Sequence, residues 1–340
     1  MKAIVCPNYG PPDVLQFTEV EKPVPGDGEI LVKIHAASVN ALDRHLMKSK
    51  PSMRVLTGSG LLKPKDQRIG VDIAGRVEAV GNKVTQFQPG DEVFGVATGA
   101  FAEYACADEN ELALKPANSS FEDAAAVPVA ALTALQGLRD KGLIQSGQKV
   151  LIHGASGAVG TFAVQIARAF GAEVTAVCST RNVEMVRSMG AEHVIDYTQE
   201  DVTRNRQRYD LILAVNGYHS IFAYRRILRP GGTYVLVGEG SNTHLFRAMF
   251  QTMLLGPLFA KTAKQKMCFF IAKVTRTDLD YMKELMEAGK VVPMIDRRYP
   301  LCETAEAFRY LEEGHARGKV VITVEQNDKT EQSLDQPGFG

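Results

Sequence analysis

The chain lacks tryptophan, any excess of either charge, a closely spaced cysteine pair and a long apolar run. Each absence narrows what it does. Lys plus Arg and Asp plus Glu both number 39, so no basic face for a nucleic acid is expected. The five cysteines (Cys6, Cys106, Cys178, Cys268, Cys302) include no C-x-x-C pair. That pattern argues against a disulfide scaffold and a thiolate zinc site, and it fits a reducing, cytoplasmic compartment. The opening "MKAIVCPNYGPP" is strand-like and has no signal-peptide apolar core. The longest uncharged run, Ala248 to Ala260, is too short to span a bilayer and is broken by Gly256-Pro257. No nucleic-acid partner and no transmembrane segment are expected.

What is present suits two domains, given 340 residues of ordinary globular composition. Up to about residue 120, short β-like runs such as "EILVKIHAASV", "IAGRVEAVG" and "GDEVFGV" are separated by turn signals like Pro89-Gly90-Asp91. That texture predicts an antiparallel, barrel-like domain. From about residue 123 the pattern alternates. Apolar strands "KVLIHGA", "EVTAVCS", "HVIDY", "YDLILAV" and "TYVLVG" interleave with helical stretches such as "VGTFAVQIARAF". This predicts an α/β fold with a doubly wound parallel sheet. After "TDLDYMKELMEAGK" the mixed texture returns in "MIDRRYPL" and "GKVVITV", so the barrel domain is expected to be discontinuous. The expected division is 1–128 with 276–326 for the barrel, 129–275 for the parallel sheet, and a disordered polar tail at 327–340.

Between the first parallel strand and its helix the chain reads Ala155-Ser156-Gly157-Ala158-Val159-Gly160, one glycine short of G-x-G-x-x-G. Gly157 allows backbone to approach a pyrophosphate, Gly160 allows the helix to pack close, and Ala155 requires a turn that tolerates one methyl group. The helix start at Ser156, Gly157, Ala158 and Val159 then offers free N–H groups to phosphates. A lone glycine triplet is weak evidence, but strand, loop, helix and second strand follow in the right order. The second strand ends in Cys178-Ser179-Thr180-Arg181-Asn182. No acid stands where a ribose 2′-OH would be held. The two hydroxyls of Ser179 and Thr180 and the guanidinium of Arg181 suit a 2′-phosphate instead, so NADPH is the expected cofactor.

These motifs, with "PGDGEILVKIHAASVNALDRHLM", "GVDIAGRVEAVG", "AAAVPVAALTALQGL" and "GHARGKVVITV", resemble the zinc-independent quinone oxidoreductase-like branch of the medium-chain dehydrogenase/reductase superfamily. The resemblance runs from Met1 to about Val324. It implies a GroES-like substrate domain, a Rossmann domain, a nicotinamide cleft between them, and a homodimer formed through an edge strand, here "MCFFIAKV". It also places Asn40 at the first catalytic zinc cysteine and Gly70-Val71-Asp72 at the G-H-E motif of zinc-dependent relatives. Thr133 and Tyr197 match cofactor-side residues, and His45 stands where relatives often carry a Tyr. Asn40 is the expected holder of a substrate carbonyl. His45 is either a hydrogen-bond or proton donor or a histidine at the cleft mouth. Asp72, in an apolar strand, reads as a buried structural carboxylate. No metal is expected.

Hydride chemistry without a metal suits quinones and α,β-unsaturated carbonyls. The Met-, Phe- and Leu-rich stretch 241–270 either packs in the core or walls the cleft for a hydrophobic acceptor. One departure bears on the cofactor: "LILAVNGYHS" puts Ala214 where relatives carry an Asp, and Asn216-Gly217 is expected to form a turn. Two other readings stay open, an enoyl-thioester reductase and an NADPH-binding protein without turnover.

Overall fold

A central strand with both faces covered must be apolar along its whole length, and "EILVKIHAASV" is such a strand. It forms β3 (Glu29–Val39), almost entirely buried. The computed structural model describes residues 1–48, 60, 62–215, 219–237, 251–252, 256, 259 and 264–325. A short hairpin, β1 (Lys2–Val5) and β2 (Gln16–Glu19), precedes β3. Strands β4 (Asp72–Val80), β5 (Glu92–Val96), β6 (Tyr104–Asp108) and β7 (Leu112–Leu114) follow it. Strand β3 pairs antiparallel with both β4 and β6.

The parallel sheet comprises β8 (Lys149–His153), β9 (Glu173–Cys178), β10 (His193–Asp196), β11 (Tyr209–Ala214), β12 (Leu228–Leu236) and β13 (Lys266–Phe269). Its order is β10-β9-β8-β11-β12-β13, every neighbouring pair parallel. The winding direction reverses between β8 and β11, the position at which open α/β sheets form a ligand crevice. Strand β13 lies at one edge.

The chain then returns to the first sheet. Strands β14 (Ile295–Pro300) and β15 (Lys319–Thr323) extend it to seven strands, six in the order β14-β15-β3-β4-β5-β7 and β6 paired to β3 off that path, with β15 antiparallel to β3. The barrel therefore draws its strands from both ends of the described chain.

Eight helices are described outside this framework and the segment 251–259: α1 (Ala41–Met47), α2 (Phe121–Ala125), α3 (Pro128–Gln136), α4 (Ala158–Ala169), α5 (Val183–Ser188), α6 (Ile221–Ile227), α7 (Arg276–Glu287) and α8 (Thr304–Glu312). One apolar core joins the two sheets. Ala36, Ala74, Phe94 and Ala113 of the barrel pack in the same cluster as Ala131 and Leu135 of α3, Val150 and Ile152 of β8, and Leu279 and Met282 of α7. The small residues of "AAAV", Ala124 to Val127, are all fully buried there, which lets the two sheets approach closely. Among the described residues no helix is long and apolar enough to cross a membrane. All five cysteines are free. Asn216-Gly217, most of 241–270 and the tail at 327–340 lie outside the described residues.

Helix α4 approaches the end of β8 so closely that a Cβ on Gly160 would overlap the carbonyl oxygen of Gly154 and lie 2.7 Å from the Ala155 Cα. Gly160→Ala is therefore expected to lower stability by about 1–3 kcal/mol in urea unfolding. A variant as stable as the wild type would contradict that close approach.

Candidate active site

A hollow of about 870 Å³ opens at the end of β8. Its walls include Ser156 and Gly157 of the loop, Ser179 and Arg181 after β9, Tyr197 after β10, and His315 and Ala316 just before β15. Gly157 is the N-cap of α4, and no side chain caps that helix. The first-turn N–H groups, at Ala158 and Val159, are thus left for a ligand, with the positive end of the helix dipole behind them. A Cβ on Gly157 would meet nothing closer than the Gly154 carbonyl at 3.7 Å, so only this residue's lack of a side chain keeps the floor low. The glycine missing from position 155 is supplied one residue earlier. Gly154 has φ +85°, and it rather than Ala155 makes the tight turn. The loop fits a dinucleotide pyrophosphate.

Ser179, Thr180, Arg181 and Asn182 all line the hollow after β9, the hydroxyl of Thr180 being engaged with Asp196 (2.6 Å) and Thr198 (2.9 Å). Arg181 donates one N–H to the carbonyl of His315 at 2.9 Å and so spans the mouth between the two domains. Tyr197 is 58% exposed and lines the same mouth. Thr133 is elsewhere. Half-buried on α3, it donates its hydroxyl to the Val129 carbonyl (2.7 Å) and does not line the hollow.

Beneath the loop the two domains are joined by polar contacts. Gly318 donates its N–H to the Ser156 carbonyl (3.0 Å), forming a parallel bridge between Gly157 and Gly318. The next residue, Lys319, is fully buried. Its ammonium donates to Asn40 Oδ1 (2.7 Å) and Asp72 Oδ2 (3.1 Å). Asp72 also accepts from Ser38 Oγ (2.7 Å), from Asn40 Nδ2 (2.9 Å) and, through Oδ1, from the Val129 N–H at the start of α3 (3.1 Å). The buried structural carboxylate read from the sequence has this environment.

Asn40 does not have the freedom expected of it. One amide hydrogen goes to Asp72, the other is directed to the Ser38 carbonyl at 3.4 Å, and its oxygen takes the lysine. It positions neighbours and has no hydrogen left for a substrate carbonyl. His45 is half-exposed on α1 and lines neither this hollow nor a second one described below.

The sequence agrees with two family models: an alcohol dehydrogenase GroES-like domain over residues 26–117 and a zinc-binding dehydrogenase over 189–322. The chain is 36% identical to the mitochondrial NAD(P)H oxidoreductase RTN4IP1 of Mus musculus, across 95% of this chain and 89% of that one. It is 33% identical to 2-methylene-furan-3-one reductase of Solanum lycopersicum, across 95% and 79%. The quinone oxidoreductase of Coxiella burnetii superposes with a TM-score of 0.81 at 30% identity, covering 96% of this chain and 99% of that one. The chain belongs to the medium-chain dehydrogenase/reductase superfamily, in its quinone-oxidoreductase-like branch. It is an oxidoreductase of the nicotinamide-dependent kind.

The name of one family model implies zinc, and the residues of this medium-chain reductase do not fit it. Between Asn40 and Asp72, at the positions matched to two zinc-site residues, stands the ammonium of Lys319. An amide and a carboxylate closed around an ammonium are not a zinc donor set. Among the described residues no group of three or more His, Cys, Asp or Glu could hold a metal.

Sequence reasoning missed Lys319, Asp43, His153 and His219. "GKVVITV" was read only as a closing strand. A lysine inside an otherwise apolar strand was the available signal, since a buried ammonium requires a partner. Asp43 Oδ2 accepts from the Asn40 N–H (2.8 Å), while Oδ1 is buried without a partner. Burial pushes this carboxyl up to about 7; the nearby Asp72 raises it further and Lys319 opposes.

Two outcomes follow from the cluster. Lys319→Met leaves Asp72 buried and unpaired and is expected to cost about 3–5 kcal/mol of stability. Adding Asp72→Asn should recover part of that loss, as measured by denaturant titration of both variants. For Asp43, the unfolded chain loses its proton near pH 3.9 and the folded chain holds it to about 7. Stability should therefore fall as pH rises through that window. Asp43→Asn, which cannot ionise, should flatten this fall. An unchanged slope would place the titrating group elsewhere.

Proposed function

We propose that the chain is an NADPH-dependent reductase of quinones or α,β-unsaturated carbonyls. The cofactor half rests on the end of β9, where Ser179 and Arg181 line the hollow and no acidic residue of that stretch does; Glu313, the acid in its lining, belongs to the wall before β15. A guanidinium can pair with the 2′-phosphate of NADPH and has nothing comparable to hold on NADH. Asp196 lies close by, but its carboxylate accepts from Thr180, Thr198 and Gln199, so its charge is met by donors.

The acceptor half is supported by the second hollow, of about 540 Å³. Its wall includes Leu46, Met47, Ile69, Val71, Val96 and Ala97, with Tyr9, Lys65, Asp66, Arg68, Thr98 and Glu111 as its polar groups. Val71 occupies the position matched to the histidine of the G-H-E motif, so an apolar side chain stands where zinc-dependent relatives place a ligand. Such a wall favours a hydrophobic carbonyl or quinone, in keeping with the acceptors named for the Solanum and Coxiella relatives.

Bound in the cleft, the reduced nicotinamide supplies a hydride. The chain's own residues do the rest. The uncapped α4 start and Ser156–Gly157 hold the pyrophosphate, Arg181 and Ser179 fix the adenosine end, and the Gly318 N–H on the Ser156 carbonyl with the Val129 N–H on Asp72 hold the two walls together. We further read the assembly as a homodimer that pairs through the edge strand β13, beyond which Ile271 is 81% exposed, and the compartment as cytoplasmic.

Arg181→Ala is expected to weaken NADPH binding about tenfold or more, the loss of a hydrogen-bonded charged contact, and to leave NADH nearly unchanged. A wild type that prefers NADH would defeat the cofactor assignment. The acceptor is tested by following NADPH oxidation with 9,10-phenanthrenequinone and a panel of enals. Turnover confined to enoyl thioesters would indicate a different reductase. Tight NADPH binding with no turnover on any acceptor would indicate a binding protein.

A further inference from the structure

Where the cofactor hollow meets the parallel sheet, its wall holds two histidines that none of the roles above requires, His153 and His219. His153 is the last residue of β8, one position before the tight turn at Gly154, and it is 5% exposed. Its Nδ1 lies 2.7 Å from the hydroxyl of Tyr224, a fully buried residue of α6. The His219 ring stands 5.4 Å from that of His153 and 5.8 Å from that of Tyr224, and its Nε2 lies 3.7 Å from Asp201.

The charge state and tautomer of His153 follow from these neighbours. Burial, with the second imidazole beside it, pushes its pKa down to about 4 against a smaller opposing effect of Asp201, so near neutrality the ring is uncharged and carries one N–H. Burial also holds the Tyr224 phenol well above its usual range, so the hydroxyl keeps its proton. That proton needs an acceptor, and among the described residues only His153 Nδ1 is in reach. If Nδ1 carried the ring proton, the phenol hydrogen would be buried without a partner, at a cost of about 1–3 kcal/mol. Tyr224 therefore donates to Nδ1, and the ring proton sits on Nε2. Nε2 has no hydrogen-bond partner among the described residues, while the ring lines the hollow beside Ser156 and Gly157.

We infer that His153 is a further cofactor-holding residue: a neutral donor, fixed in its Nε2–H tautomer by Tyr224, that hydrogen-bonds an oxygen of the pyrophosphate–ribose backbone of the dinucleotide. This rests on the reading of the hollow as the dinucleotide site. An uncharged donor suits that place. It grips an anionic backbone at any pH well above 4, and it complements the backbone N–H groups of α4.

Two variants separate this role from a merely structural one. In His153→Gln the amide N–H takes the place of Nε2–H, but Tyr224 loses its partner. In His153→Asn the amide lies at the Nδ1 side, so Tyr224 keeps an acceptor and the hollow loses its donor. NADPH binding by the full chain, read from nicotinamide fluorescence, is expected to stay within about threefold of wild type for His153→Gln and to weaken about tenfold for His153→Asn. Thermal unfolding should rank the two in the opposite order. The ¹⁵N spectrum of the wild type, assigned against these variants, should show a protonated Nε2 and an unprotonated Nδ1, and Tyr224→Phe should abolish that preference. Undiminished binding by His153→Asn, or a protonated Nδ1 in the wild type, would overturn the assignment. If the wild type bound neither NADPH nor NADH while the tautomer was as expected, the reading of the hollow itself would be wrong and the donor role would fall with it.

Discussion

Four donors from three separate parts of the chain converge on the buried carboxylate of Asp72: Ser38 and Asn40 at the end of β3, the Val129 N–H that opens α3, and Lys319 of β15. A carboxylate and an ammonium with no exposure to water are tolerated only when paired and hydrogen-bonded, and removing either partner is far more costly than never having had them. Apolar contacts among the alanines of α2 and α3 bring the domains together but do not fix how they are aligned. The bonds that cross between them do: the Val129 N–H on Asp72, the Gly318 N–H on the Ser156 carbonyl and the Arg181 N–H on the His315 carbonyl hold only when barrel and parallel sheet stand in one relation. Lys319 pairs with Asp72 inside the barrel sheet and so satisfies the carboxylate on which the first of them ends. The Ser156–Gly157 loop is held from the residue before β15, since Gly318 is bonded to Ser156 immediately before Lys319.

The architecture was largely legible because its signals are repetitive. "EILVKIHAASV" coincides with β3, and the alternation of apolar strands with helical stretches predicted the parallel sheet and its winding. The return of "MIDRRYPL" and "GKVVITV" to the first sheet could also be expected, since their texture differs from that of the segment before them. The chemistry that sequence can propose lies where one local stretch carries it, as in the Ser156–Gly157 loop and the end of β9. Even there the count of glycines misled, because the fingerprint was aligned on Ala155 while the backbone makes its turn at Gly154.

What could not be read depends on partners far apart in sequence. Asn40 looked like a free amide because nothing near it reveals a lysine 279 residues later at hydrogen-bond distance. His153 looked like an ordinary strand residue because its tautomer is set by Tyr224, 71 positions on. An isolated polar residue inside an apolar strand shows that a partner exists and does not show which one. Thr133 is the converse case: a match to relatives assigned it to the cofactor, while its hydroxyl is turned back on its own helix.

The discontinuous barrel also sets an order of events during synthesis. Strands β3 to β7 leave the ribosome well before β14 and β15, and the whole parallel sheet is made in between. Until β15 emerges, Asp72 has no counter-ion and the Ala36–Val39 stretch of β3 lacks a neighbour on one edge, so the barrel cannot close. The parallel sheet faces no such wait, since all its strands precede β14. Newly made chains therefore pass through a stage in which the Ser156–Gly157 loop is formed but the facing wall at His315–Ala316 is absent, and the hollow is completed only as the last of the described strands is approached.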